Sequence, residues 1–213
     1  KADEVLVQVT AAGLNNTDIW NRIGAYGTDR DPDAVAGLGR KPGNFPLIQG
    51  IDVVGRIAAV GEGVDGSRVG ERVILNFVTY EPDPSPLGFA GSLASAFNGG
   101  YAEYVAAQST QAYEIGDSPL SDEELATLPC VCLTGEHMLS EAGVKAGETV
   151  LVTGASGGMG SMLIQLVHAR GARAVAVTSK AWAAEVAKLE PFAVVSRDEG
   201  DLVDAVTAAM GAP

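Results

Sequence analysis

The sequence has little cysteine, little positive charge and no long apolar run. Its two cysteines, Cys130 and Cys132, stand too close together for an ordinary disulfide, which is typical of a reducing compartment. Fourteen Lys and Arg residues against 27 Asp and Glu give a formal net charge of −13, and no basic cluster offers a face to nucleic acid or to an anionic membrane. The apolar runs are too short to span a bilayer. We therefore expect a globular cytoplasmic protein that binds neither nucleic acid nor membrane.

The 27 glycines and the 46% of hydrophobic residues follow two different patterns along the chain. Up to residue 117, hydrophobic and polar residues alternate over short segments that end in glycine-containing turns, which is typical of β-strands. The predicted strands are 4–10, 52–60 and 71–77. Two stretches rich in Asp, Pro, Gly and Ser, 28–46 and 79–99, lack periodicity and are predicted to be functional or mobile loops. Residues 1–117 therefore form a mostly β domain in this prediction.

Residues 118–213 show helical signals followed by alternating strands and helices. Ser121 and Glu124 form a capping box, Pro129 is expected to end that helix, and the next helix is predicted over 134–141. The predicted strands that follow are 149–153, 173–178 and 192–195, and the predicted helices are 158–170, 181–189 and 198–210. The whole chain is thus predicted to be α/β, with a mostly β domain followed by the first part of a doubly wound parallel sheet of the Rossmann type.

A glycine-rich segment, VLVTGASGGMG, occupies the first strand-to-helix junction of residues 118–213. This context is the one in which backbone N–H groups at a helix start bind a dinucleotide pyrophosphate. Gly157 lets the backbone approach the phosphates and Gly160 lets the helix pack close to the strand, whereas Ala155 replaces the first glycine of the usual pattern. The predicted cofactor-binding residues are Gly154, Ala155, Ser156, Gly157, Gly158, Met159 and Gly160. A tight turn without a ligand and a methyltransferase-type site are the alternatives.

The end of the second predicted strand indicates which dinucleotide binds. An NAD site places Asp or Glu there to hold the ribose hydroxyls, but no acidic residue occurs between Ser161 and Ala184. Ser179 and Lys180 instead offer a hydroxyl and a cation to a 2′-phosphate, and Arg197 offers a second cation. These residues predict NADPH, although Lys180 and Arg197 can also be read as solvated surface residues.

Six segments of the chain together resemble the medium-chain dehydrogenase/reductase superfamily, and within it the zinc-independent quinone oxidoreductase branch. They are VLVQVTAAGLNNTDIW, GIDVVGRIAAVGEGV, GERV, GGYAEYV, LPCVCLTGEHML and GETVLVTGASGGMGSMLIQL. The resemblance implies a GroES-like catalytic domain over 1–117, a Rossmann domain that begins at 118, a small-molecule substrate and a homodimer. It reaches only the first three Rossmann strands, so we expect residues 1–213 alone to bind NADPH weakly and to turn over poorly.

The same resemblance implies that the chain binds no metal. Zinc alcohol dehydrogenases hold the catalytic ion with a Cys, with the His of a Gly-His-Glu sequence and with a further Cys or His. Asn15 stands at the first of these positions and Gly50-Ile51-Asp52 at the second, so that only Cys130 remains. His137 and His168 lie in predicted helices and are expected to be packing or surface residues.

The resemblance also implies the catalytic residues. Asn15 and Tyr26 match an asparagine and an aromatic hydroxyl that line the cleft of quinone oxidoreductases, Trp20 replaces a tyrosine, and Thr17 matches a proton-relaying hydroxyl. Thr134 matches a threonine beside the nicotinamide. Asn15 and Thr17 could instead cap a turn, and Tyr26 could be a core aromatic. The expected activity is hydride transfer from NADPH to a quinone or an α,β-unsaturated carbonyl, with a zinc alcohol dehydrogenase and a non-catalytic NADPH-binding sensor as alternatives.

Overall fold

The computed structural model describes residues 1–26, 45–80 and 89–211. They form two compact units, Lys1–Cys130 and Val131–Pro213. The predicted loop 28–46 lies almost wholly outside the described residues, and residues 81–88 of the loop predicted over 79–99 also lie outside them. Each unit has its own hydrophobic core.

The first unit is built on a five-stranded antiparallel sheet. Its strands are β1 (Glu4–Gly13), β2 (Asp52–Val60), β3 (Arg72–Leu75), β6 (Tyr104–Gln108) and β7 (Ala112–Glu114), in the order β6-β1-β2-β3-β7. The alternating pattern placed the first three strands correctly, and their inward residues, such as Val7, Val53 and Val73, are fully buried. β1 extends three residues beyond its predicted end, and its last residue, Gly13, pairs with Asp52 at the start of β2.

One short strand overlaps the start of the second predicted loop and another lies within it, so the prediction of a loop throughout 79–99 was wrong. β4 (Val78–Tyr80) and β5 (Phe89–Ser92) form an antiparallel pair. The buried Gln111 side chain donates hydrogen bonds to the carbonyl oxygens of Asn76 and Val78 at 3.0 Å each. These side-chain bonds join β4 to the main sheet. Because they do not depend on alternating hydrophobic and polar residues, the sequence pattern gave no sign of this strand.

The first unit ends with α2 (Asp122–Leu125) and with the start of α3 (Pro129–Glu141). The predicted capping box is present, since Ser121 Oγ accepts from the Glu124 N–H and Glu124 from the Ser121 N–H. Leu125 and Ala126 are buried against Val54 of β2, so the division between the compact units lies later than the domain boundary predicted after residue 117. Pro129 was predicted to end a helix but begins one, because a proline at the first helical position loses no hydrogen bond.

The second unit contains a parallel sheet of three strands, β8 (Thr149–Val152), β9 (Arg173–Thr178) and β10 (Ala193–Ser196). Its order β10-β9-β8 is that of the first half of a Rossmann sheet. Ala174 and Ala176 of β9 pack with α4 (Gly158–Ala169) and α5 (Ala183–Ala187), whereas Val175 and Val177 pack with α6 (Leu202–Met210). Helices thus cover both faces of the sheet, as the predicted doubly wound fold requires. None of the described helices is long and apolar enough to cross a membrane.

Candidate active site and cofactor-binding site

Asp52 is the centre of a buried hydrogen-bond cluster in the first unit. Its side chain lies at the start of β2 and the residue is only 2% exposed. One carboxylate oxygen accepts a hydrogen bond from Asn15 Nδ2 at 2.9 Å, and the other accepts from the backbone N–H of Cys130 at 2.7 Å. Asp52 therefore joins Asn15 and Cys130, which stand at two of the positions compared above with zinc ligands.

Burial and hydrogen bonding act in opposite directions on the Asp52 carboxyl. Removal from water raises the pKa of Asp52 above its ordinary value, the hydrogen bonds from Asn15 and Cys130 lower it, and the nearby charge of Asp18 raises it again. The net shift is upward. The two donated hydrogen bonds offset part of the cost of burying this carboxyl group.

Asp18 holds the neighbouring backbone in place. This buried residue lies in the first turn of α1 (Asn16–Arg22), and it accepts hydrogen bonds from the backbone N–H groups of Asn15 and Gly50, each at 3.0 Å. The Tyr101 hydroxyl donates to it at 2.9 Å. Burial and the adjacent Asp18 raise the pKa of Tyr101 well above its usual range, so the hydroxyl remains a donor. Asp18 thereby fixes the backbone on which Asn15 stands.

Replacing Tyr101 by phenylalanine should destabilise the protein by about 1–2 kcal/mol, because the buried Asp18 side chain loses the hydrogen bond that the partly exposed Tyr101 hydroxyl donates to it. Denaturant unfolding would measure the change as a shift of the midpoint with an unchanged slope. Tyr113→Phe is the matched control, since Tyr113 lies on the surface and is 57% exposed. Equal stability of the two variants would contradict the assignment of the Tyr101 hydroxyl to Asp18.

The structure brings Thr17 and Tyr26 together. The Tyr26 hydroxyl lies 3.5 Å from Thr17 Oγ1, and the rings of Trp20 and Tyr26 are 5.8 Å apart between centroids. Asn15 precedes α1 and forms a capping box with Asp18, in line with the capping alternative, and its side-chain amide also donates to Asp52. The predicted cleft residues therefore form two contacts, one between Asn15 and Asp52 and one between Thr17 and Tyr26.

A cleft of about 340 Å³ opens beside the Asp52 cluster. Leu14 and Ile19 give it an exposed apolar wall, whereas the amide nitrogen and oxygen of Gln49 are buried and have no hydrogen-bond partner among the described residues. A mostly apolar cleft with a few polar groups is typical of sites for small organic ligands. The residues that line it are Leu14, Asn15, Asn16, Asp18, Ile19, Arg22, Gln49 and Tyr101.

Asp18, Gln49 and Tyr101 were not among the predicted residues of this site. Tyr101 lies in the quoted segment GGYAEYV, but nothing in that segment indicates that its hydroxyl reaches Asp18, which is 83 residues away in the sequence. Gln49 carries no sequence signal at all. Asp18 could have been found from its position three residues after Asn15, which is typical of a carboxylate that caps a helix start.

The glycine-rich segment of the second unit forms the turn between β8 and α4. Gly154 has a φ of +61°, a left-handed conformation that favours glycine. Gly154 makes the tight turn, so the next position can hold an alanine. Ala155 is fully buried there, and its N–H donates to the carbonyl oxygen of Val177 at 3.1 Å. The substitution in the glycine pattern therefore leaves the turn intact.

The start of α4 is exposed and carries no negative charge. Ser156, Gly157 and Gly158 are exposed, Met159 is half-buried, and the first turn contains no acidic residue. A Cβ atom on Gly160 would collide with the Gly154 carbonyl oxygen and would lie 2.7 Å from the Ala155 Cα, so the close packing predicted for Gly160 is present. Free N–H groups at such a helix start attract phosphate.

Two acidic residues lie next to the predicted 2′-phosphate contacts. The parallel pairing of β9 with β10 places Thr178 opposite Ser196, and the Lys180 N–H donates to Asp198 at 2.8 Å. Lys180 Nζ forms an ion pair with Glu199 at 2.6 Å, with the two side chains 74% and 56% exposed. Glu199 raises the pKa of Lys180. Arg197 Nε lies 3.9 Å from Asp198, and Ser179 is half-buried.

Thr134, the two histidines and the two cysteines were also singled out in the sequence, and the structure gives the position and the degree of burial of each. Thr134 is half-buried in α3, and His137 and His168 are exposed on helices. Cys130 and Cys132 are half-buried. Across residues 1–26, 45–80 and 89–211, no three His, Cys, Asp or Glu side chains are grouped so that they could hold a metal ion.

Residues 1–117 match the family model of the alcohol dehydrogenase GroES-like domain. The chain is 33% identical over 189 residues to a 2-methylene-furan-3-one reductase of Solanum lycopersicum, covering 88% of this chain and 43% of the relative. It is 35% identical over 167 residues to a quinone oxidoreductase of Lama guanicoe, covering 78% of this chain and 41% of the relative. A solved structure from Sinorhizobium meliloti, provisionally named an alcohol dehydrogenase, is 50% identical with a TM-score of 0.87, covering 100% of this chain and 59% of that one. The chain thus spans about half the length of these relatives.

Proposed function

The chain belongs to the alcohol dehydrogenase GroES-like family of the medium-chain dehydrogenase/reductase superfamily, and on that basis we propose that the protein transfers a hydride from NADPH to a quinone or an α,β-unsaturated carbonyl without zinc. Relatives named for a quinone and for a methylene-furanone are consistent with this substrate class. Both kinds of substrate have an electrophilic carbon conjugated to an oxygen that gains charge when hydride is added.

The hydrogen bond between Asn15 and Asp52 is the main support for a reaction without zinc. Asn15 stands where zinc alcohol dehydrogenases have their first cysteine ligand. Its amide nitrogen already donates a hydrogen bond to the buried Asp52 carboxyl group at 2.9 Å. An amide nitrogen that donates a hydrogen bond has no electron pair for a metal. Cys130 alone is too few ligands for catalytic zinc.

The residues of the second unit fit a dinucleotide phosphate. The exposed N–H groups at the start of α4 would hold the pyrophosphate, and Ser179, Lys180 and Arg197 would contact the 2′-phosphate. The ion pair between Lys180 and Glu199 is largely exposed, and such pairs contribute about 0–1 kcal/mol. A phosphate with a charge of about −2 can therefore displace the Glu199 carboxylate from Lys180. When bound, the nicotinamide supplies the hydride.

The residues of the first unit would act on the substrate. Asn15 keeps one amide N–H that is not used by Asp52, and it can donate to the substrate oxygen that gains charge. The Thr17 and Tyr26 hydroxyls, 3.5 Å apart, are suited to pass a proton to the reduced product. Leu14 and Ile19 provide an apolar surface for the substrate body.

Turnover by the purified full-length protein tests this proposal. We expect NADPH consumption with quinones or enones, little with saturated aldehydes, and zinc well below one equivalent by elemental analysis. Stoichiometric zinc together with alcohol or aldehyde turnover would identify a zinc alcohol dehydrogenase instead. Tight NADPH binding with no turnover on quinones, enones and aldehydes would identify a nucleotide-binding sensor.

A further inference from the structure

We propose that Asp52 is a positioning residue which fixes the orientation of the Asn15 amide, so that one N–H of that amide is held ready for the substrate oxygen. This inference rests on the proposed reductase function. It assigns a role to a buried carboxylate whose hydrogen bonds come from Asn15 and from the Cys130 N–H.

The bonds around Asp52 determine which end of the Asn15 amide faces it. Each Asp52 oxygen receives one hydrogen bond, from Asn15 Nδ2 at 2.9 Å and from the Cys130 N–H at 2.7 Å. Both carboxylate oxygens thus act as acceptors in this cluster. The Asn15 nitrogen must therefore face Asp52, which rules out the flipped amide and directs the second N–H and the amide oxygen away from the carboxylate.

Both ends of this contact are held by the fold. Asp52 is paired with Gly13 across β1 and β2, and the Cys130 N–H belongs to the first turn of α3, where backbone donors lack a partner within the helix. Asn15 is held at its backbone by the bond from its N–H to Asp18. Because little freedom remains, the amide need not be ordered when the substrate binds, and such preorganisation accelerates a reaction.

Only an aspartate satisfies both donors at this position. Asparagine has one acceptor oxygen, so when that oxygen keeps the bond from the Cys130 N–H its NH₂ group faces Asn15, and the Asn15 amide either loses this bond or turns over. Glutamate keeps the carboxylate but adds a methylene to a residue that is 2% exposed. Asp52→Asn should therefore release the Asn15 amide, whereas Asp52→Glu should retain part of the constraint.

A double-mutant cycle in the full-length protein tests whether Asp52 acts through Asn15. We expect Asn15→Ala to lower kcat by about 100-fold, which is typical for loss of one donor to a developing oxyanion. Asp52→Asn should lower kcat by roughly 10-fold through misplacement of that donor, with little change in the KM for NADPH. In the double variant kcat should equal that of Asn15→Ala within about 2-fold, since coupled residues are not additive. Asp52→Glu should recover part of the loss.

The matched control is Asp122→Asn, which removes a carboxylate bonded to Arg72 at 2.7 Å on the same unit and should leave kcat unchanged. Multiplicative losses in the double variant, or wild-type kcat in folded Asp52→Asn, would overturn the proposal. If the wild-type protein reduces none of the substrates, the proposed function is wrong, and this result leaves the positioning of Asn15 by Asp52 to be tested separately. The side-chain ¹⁵N–¹H signals of Asn15 then remain as a separate measure, because they should shift in Asp52→Asn but not in Asp122→Asn, and unshifted signals would contradict the placement.

Discussion

Replacement of Gly160 by valine is expected to abolish binding of the dinucleotide and to lower the free energy of unfolding by about 1–3 kcal/mol, the usual cost of overpacking. A side chain at this position meets the Gly154 carbonyl oxygen and the Ala155 Cα. Both are backbone atoms, so no side-chain rotation relieves the collision. The first turn of α4 must then move away from β8, and the N–H groups proposed to hold the pyrophosphate move with it.

Titration of NADPH by fluorescence and denaturant unfolding measure the two effects of Gly160→Val separately. Gly158→Ala is the control for stability, because a Cβ atom there would lie 3.7 Å from Val131 Cγ1, an ordinary contact. Its unfolding free energy should be unchanged or raised by up to about 1 kcal/mol, since alanine favours a helix over glycine. Wild-type NADPH affinity in Gly160→Val would show that the start of α4 does not bind the cofactor.

Periodicity in the sequence was sufficient to predict most strands, because each strand alternates between a buried and an exposed face or is buried throughout. β2 and β9 have the predicted bounds. β5 was missed because its four residues lie in a segment rich in Gly, Pro and Ser, where local propensity carries little information. The start of α3 was misplaced because a proline is compatible with the beginning of a helix as well as with its end.

The candidate site was only partly predictable, because its contacts join residues that are distant in the sequence. Asn15 was identified by resemblance, but its partner Asp52 lies 37 residues away and was noted only as a replacement in the zinc pattern. Asp198 and Glu199 were missed for a related reason. The prediction considered only residues near the end of β9 in the sequence, between Ser161 and Ala184, whereas parallel pairing brings residues after β10 beside those after β9.

Ser179→Asp is expected to reverse the choice of cofactor. The substitution places a carboxylate at the end of β9, where it would accept hydrogen bonds from ribose hydroxyls and repel a 2′-phosphate. Two unit charges about 4 Å apart near a protein surface interact by about 4 kcal/mol, so the ratio of NADPH to NADH affinity should fall by roughly 1,000-fold.

Glu199→Gln is the matched comparison for Ser179→Asp, with the opposite expected sign. It removes the carboxylate that competes for Lys180 at 2.6 Å and should strengthen NADPH binding by a few fold, as expected of an exposed ion pair, while NADH binding stays unchanged. Titration of both dinucleotides against each variant gives the affinity ratios directly. An unchanged ratio in Ser179→Asp would mean that the ribose does not lie at the end of β9. A change of the same sign in both variants would contradict the placement of the 2′-phosphate beside Lys180, because the two substitutions change the charge there in opposite directions.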